Sequence, residues 1–258
     1  RLLDDVAKDN PQKAQEAQAK LNNAVNTKLK RLGYNEIGSY TKTNIGDVKL
    51  VGKYQLYKEA QDSLAVKGEL TLPTGVAPNV DNALDTPTGD GQVDIGATII
   101  ADHYLDRQHA WRTNAYAGYT VQLPDHLDRR LPVNENDSLS NDKELLARKL
   151  GDIVQAGTSI QYEFPFGLNL GTAYAVQRLG KTSYGDGSFQ SFRYRLLEAN
   201  TGQTLHSATF GVGFSTVEMY KRKEFKAPFQ VNWAYCMPIA GVNTVKNDYM
   251  SFELVMFF

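Results

Sequence analysis

The chain has 258 residues, with 28 Lys and Arg against 29 Asp and Glu, a formal net charge of −1 and a pI near 6.5. A balance this even supplies no concentrated cationic surface for a phosphate backbone, so nucleic acid is not an expected partner. No run approaches the ~18 apolar residues of a spanning helix, which excludes a helical membrane protein, and the lone Cys236 cannot form an internal disulfide.

From the N-terminus, residues 1–44 read as one unit built around a helix. Asp9 or Asn10 can cap it, Pro11 suits its first position, Leu21, Val25, Leu29 and Leu32 recur at helical spacing, and Gly33 can take the left-handed position after the last turn. Residues 45–258 read differently, as a succession of period-two segments. Their apolar faces are Val48, Leu50, Tyr54 and Leu56 within 45–59, then Leu64, Val66, Leu70 and Leu72 within 63–73. Next come Val93, Ile95, Ala97, Ile99 and Ala101 within 92–104, and Trp111, Ala115, Ala117, Tyr119 and Val121 within 109–123. Further along are 153–164 with Val154, Ala156, Ile160 and Tyr162, 166–178 with Leu168, Leu170, Tyr174 and Val176, 204–215 with Ala208, Phe210, Val212 and Phe214, and 226–235 with Phe229, Val231, Trp233 and Tyr235. The chain stops on "NDYMSFELVMFF", whose Met250, Phe252, Leu254, Met256 and Phe258 share one face. About nine strands result, each near the ~9–11 residues of a membrane-crossing β-strand.

The opposite faces are polar. They carry Lys49, Lys53, Lys67, Glu69, Asp94, Asp102, Arg112, Asn114, Gln161, Glu163 and Glu253, with Gln155, Gln177 and several glycines between. Period alone fits a soluble sheet equally well. The connections decide. Short links ("EAQDS", "LDRQ", "PFG" and a longer "TVEMYKRKEF") alternate with long polar ones after residues 73, 123, 178 and 236. Short turns at one rim and long loops at the other are the habit of outer-membrane barrels. Tyr54, Trp111, Tyr119, Tyr162, Phe164, Tyr235, Phe252 and Phe258, near strand ends, suit interface girdles. Within the loop after residue 123, Asn141 followed by Glu144 and then Leu145, Leu146 and Leu150 reads as a capping box opening a second short helix. The expected fold is an all-β transmembrane antiparallel up-and-down barrel with short helices in extracellular loops. If the last strand descends to the periplasm, the first does too. An even-stranded barrel then calls for an odd number of further strands in an upstream N-terminal segment.

Three stretches, "NIGDVKLVGKYQLYKE", "LAVKGELTLPTG" and "GDGQVDIGATI", resemble the meta-pathway phenol-degradation family of outer-membrane proteins, relatives of the fatty-acid and toluene transporter barrels. The resemblance covers Asn44 to about Ile100. It implies a barrel of about twelve strands and passage of small aromatic or hydrophobic compounds. By a second resemblance, the terminal Phe258 matches the signal read by the outer-membrane assembly machinery.

Chemistry-bearing motifs are scarce. His103, His109, His126 and His206 have no metal-ligand spacing, and no Gly-x-Ser-x-Gly or Ser-x-x-Lys surrounds a nucleophile. His206 and Ser207, adjacent on one strand, face opposite sides and cannot form a dyad. "DNALDTPTGDGQVD" offers Asp81, Asp85, Asp90 and Asp94 but not the ligand order of a calcium loop, so it reads as a solvated acidic loop. Cys236, near a strand end, reads as a small buried or lipid-facing residue. No catalysis, cofactor or metal is expected. The sequence points to a porin-like channel in the outer membrane of a Gram-negative bacterium, passing small solutes by diffusion. Its partners are the lipid bilayer, the assembly machinery and a small-molecule solute. Two rivals remain: a structural or adhesion barrel whose lumen is filled by paired side chains, and a soluble lipocalin-like binder with an apolar interior.

Overall fold

A computed structural model describes residues 11–38, 41–137 and 139–257. In chain order the elements are α1 (Pro11–Arg31), β1 (Val48–Lys58), β2 (Asp62–Leu72), β3 (Asp94–Tyr104), β4 (Trp111–Gln122), β5 (Asp125–Arg130), β6 (Lys143–Lys149), β7 (Ile153–Glu163) and β8 (Leu168–Leu179). They continue with β9 (Ser183–Gly185), α2 (Ser191–Glu198), β10 (Gln203–Ser215), α3 (Val217–Lys221), β11 (Phe229–Val242) and β12 (Tyr249–Met256).

The nine period-two segments become one nine-stranded sheet in the order β1-β2-β3-β4-β7-β8-β10-β11-β12, each strand antiparallel to its neighbours. Register keeps the two faces apart across the whole sheet, because directly paired residues share a face. One row runs Asp102, Asn114, Ser159, Ala173 and Thr209, and another runs Ile99, Ala117, Ala156 and Val176. A one-residue slip would put polar side chains on the apolar side, charged ones among them in β1 to β4.

The burial is inverted relative to a soluble sheet. Among the described residues the buried apolar side chains are Leu29, Ala65, Leu131 and Leu146, and only Ala65 lies in the large sheet. Its apolar face stands open instead: Ile99 is 57% exposed, Tyr54 69% and Phe252 70%. An apolar surface this continuous requires an apolar environment. Strands of 11 or 12 residues, β2, β3, β4, β7 and β8 among them, extend roughly 36 Å at ~3.3 Å per residue. Tilted by ~45° they match the ~25 Å apolar band of a barrel. Among the described residues the sheet is open: β1 and β12 each have one paired neighbour, and with nine alternating strands they run in the same direction.

Long and short connections fall on opposite rims as expected, with one correction. The link after residue 236 is not a long loop, because β11 continues to Val242. Pro238 sits inside that strand, opposite a register shift between His206 and Ser207 that accommodates its missing backbone donor. Cys236 is therefore mid-strand, paired with Thr209 on the polar face, and does not lie on the apolar face that the sequence reading allowed it.

At the long-loop rim, a second sheet in the order β5-β6-β9 forms a cap. The helix expected after Asn141 is β6. Leu146 is fully buried and Arg148 nearly so, two residues apart, so the segment buries alternate side chains with strand period. β5 and β9 pair with its two edges, and Glu144 accepts bonds from the Ser188 N–H and hydroxyl and from Tyr194 Oη. Of the helices, α2 lies in a long loop, as the expected short helices do, whereas α3 sits on the short-turn rim, where the sequence signalled none. Helix α1 ends as expected: Tyr34 N–H bonds Leu29 O and Gly33 N–H bonds Lys30 O, with Gly33 at φ 74°, a Schellman closure. Its expected caps, Asp9 and Asn10, lie outside the described residues.

Three arginines hold the cap together. Arg130 donates to Val80 O, Leu32 O, Ser140 O and Gly33 O and pairs with Asp81 at 2.6 Å, joining α1, the 73–93 loop and β5. Arg148 joins Asp125 and Asp90 O, and Arg193 joins Leu131 O, Pro132 O and Asp142. The acidic loop is thus not merely solvated. Arg130, then Lys143, holds the Asp81 carboxyl below the usual carboxylate range, and the Asn79 N–H, then Lys42, does the same for Asp85.

Candidate functional site

The polar face is the concave one. Lys49 on β1 and Gln177 on β8, six strands apart in sheet order counting both, line a single cavity of about 180 Å³. Tyr116 on β4 and Tyr249 on β12 line another of about 250 Å³. Side chains from strands this far apart share a cavity only if the sheet curls around it.

The candidate residues separate by depth along this surface. From the long-loop rim to mid-height, Lys49, Lys67, Glu69 and Asp94 come together in the smaller cavity with Gln155 and Gln177. Glu69 receives Lys67 at 2.9 Å and Lys49 at 3.8 Å. Asp94 accepts from Gln92 and Gln122, two nearly buried side chains. Lys53 lies directly across from Lys67, a like-charge pair, and has no carboxylate within ion-pair distance among the described residues.

Nearer the short-turn rim, Asp102 forms a second cluster. One of its oxygens takes both Nε and Nη2 of Arg112, at 3.1 and 2.8 Å, and Nδ2 of Asn114 at 3.0 Å. Gln161 is paired with Arg112 on the same face. Glu163 opens into a wider recess of about 680 Å³ at the rim, which Tyr104, Met219 of α3, Gln230 and Phe257 also line. Thr216, fully buried, fixes α3 there by donating to Ala227 O and accepting from Phe229 N–H. Glu253 stands apart on β12, where it accepts from Asn232 at 2.9 Å. All eleven predicted lumen residues therefore share the concave face, yet they form separate clusters and not one wall. Phe258 lies outside the described residues.

Tyr116, Leu205, Pro238 and Tyr249 also line the larger cavity. Reading only polar residues into the lumen missed them. The available signal was their position, since Tyr116 falls on the even-numbered polar register of β4. They give the long-loop half of the surface an amphiphilic lining beside Gln155, Gln177 and Ser207. His206 and Ser207 do point apart: His206 meets Tyr174 Oη at 2.6 Å on the apolar face, while Ser207 lines the cavity.

No family model and no curated protein matches this chain. Among solved structures it is similar to the crystal structure of an outer membrane channel from Pseudomonas putida F1, with a TM-score of 0.53 and 16% sequence identity. The similarity covers 81% of this chain and 64% of that one, so the chain spans less than two thirds of the channel's length. The likeness is one of fold.

Proposed function

We propose that the protein is an outer-membrane channel of a Gram-negative bacterium, whose concave polar face lines a passive path for small solutes. The observation that carries this reading is the inverted sheet, apolar and exposed outside, polar and hollow inside, because only a lipid surround makes that arrangement favourable. Since β1 and β12 run in the same direction, antiparallel closure takes an odd number of additional strands. An upstream segment of the same protein is the proposed source. Closure also satisfies the backbone groups that two free edges would expose to lipid.

For cargo, the amphiphilic cavity beside Tyr116 and Tyr249 supports the small aromatic compounds that the family resemblance implies: a ring against the tyrosines and Pro238, a polar group toward Gln155 or Gln177. The ion pairs at Glu69 and Asp102 support a second reading, a structural barrel stiffened by internal salt bridges. Planar-bilayer recording with the full-length protein separates the two. Steps of conductance that aromatic alcohols block support the channel, whereas an electrically silent, fully folded barrel supports the structural reading.

A further inference from the structure

The outward face carries one feature that a solute path leaves unexplained. Tyr119, Val154 and Arg178 stand in one register row across β4, β7 and β8, so a guanidinium projects from the mainly apolar outward face. A charge facing lipid is costly unless it lies at headgroup depth beside a partner. Arg178 is the second-to-last residue of β8, at the long-loop rim. There it lines a recess of about 370 Å³ together with Tyr119, Lys149, Asp152 and Lys181.

The recess is built in a fixed shape. Asp152 takes Lys149 at 2.8 Å and the Tyr119 hydroxyl at 2.5 Å. Gly180 N–H bonds Asp152 O, and a Cβ on Gly151 would lie 2.0 Å from the Gly180 carbonyl, so the floor closes only with glycine there. Three cations face one carboxylate. Asp152 satisfies Lys149, while Arg178 and Lys181 have no carboxylate within ion-pair distance among the described residues. Directly beneath lies the apolar band of Ala117, Ala156 and Val176.

We propose that this recess binds the phosphate of a membrane lipid in the leaflet on the long-loop side, with Arg178 and Lys181 holding the phosphate and the apolar band below receiving the acyl chains. The arginine suits a phosphate because its planar donors match two phosphate oxygens. The proposal rests on the membrane-spanning reading. It is tested with full-length protein in lipid nanodiscs holding equal amounts of bisphosphorylated lipid A and its dephosphorylated form, with retained lipid measured by native mass spectrometry. The wild type is expected to retain the phosphorylated form at least tenfold over the other. The double variant R178Q/K181Q should lose that preference while inserting equally well, and Arg178→Lys, which keeps the charge but not the planar donors, should fall between the two. Equal retention of both forms by the wild type overturns the proposal, as does binding of inorganic phosphate with no retained lipid, which would mark a free-anion site. Failure of every variant and of the wild type to enter nanodiscs rejects the membrane reading itself, and shows at the insertion step before any lipid preference is read.

Discussion

Lys67 and Glu69, two residues apart on β2, point to the same concave face with Nζ 2.9 Å from Oε2, and Lys49 reaches the same carboxylate from the neighbouring strand. One carboxylate thus serves two lysines while Lys53, opposite Lys67, has none within reach among the described residues. The concave face toward the long-loop end of β1 and β2 carries surplus positive charge.

Replacing Lys49, Lys53 and Lys67 together by Glu should therefore shift the full-length channel toward cations. At an effective dielectric near 20, one unit charge ~4 Å away contributes about 4 kcal/mol before screening, so even a strongly screened residue of that interaction is expected to change the permeability ratio several-fold. Reversal potentials in a salt gradient measure it, and an unchanged ratio would place these lysines away from the path.

The two faces should respond differently to the same charge. Ala117 is exposed at the middle of β4 on the apolar side, and Ser159 belongs to the polar row. Ala117→Arg is expected to destabilise the folded state by ~2–4 kcal/mol, the cost of arginine at the bilayer midplane, and Ser159→Arg by much less. Denaturant unfolding in bilayers reads both.

The cap should be separable from the large sheet. Arg148 is 2% exposed at its side chain and pairs with Asp125, so Arg148→Ala leaves a carboxylate uncompensated in a low-dielectric site at a cost of about 3–5 kcal/mol. The loss should be local. Proteolysis is expected to cut within 124–149 while the heat-modifiable gel mobility of the folded sheet persists.

Acid should loosen the same region. Asp81 is held below the usual carboxylate range by Arg130, and Glu144 by the Ser188 hydroxyl. A depressed folded-state pKa gives stability that is present above the unfolded value, ~4, and lost as pH falls through the lower folded value. Hydrogen exchange in the 73–93 loop and in β6 should be unchanged from pH 7 to pH 5 and accelerate, beyond the intrinsic pH effect, only below the ordinary carboxylate range.

Most of the large sheet was legible because a half-apolar strand writes its two faces into alternate residues, and nine such strands with alternating link lengths have few other arrangements. The cap was not. "KELLARK" carries an acid three residues after an asparagine, which local rules read as a helix start. Its strand character comes from edges supplied by β5 and β9, distant in sequence. The three cap arginines gave no local signal either, since what distinguishes them is burial among backbone carbonyls of several loops. At the site, the charged residues were found by facing, but their division into clusters depends on side-chain reach across strands, and apolar Tyr116 was hidden by a search for polar residues alone.

The central claim, lipid on one face and water on the other, is tested most directly by nitroxide scanning of β4 in bilayers, on a Cys236→Ser background of the full-length protein. Labels at Thr113, Ala115, Ala117 and Tyr119 are expected to show high collision rates with oxygen, and labels at Arg112, Asn114, Tyr116 and Gly118 with a water-soluble nickel complex, giving a period of two with opposite phases. Nickel accessibility at both sets of positions, or the reverse phase, would contradict the account.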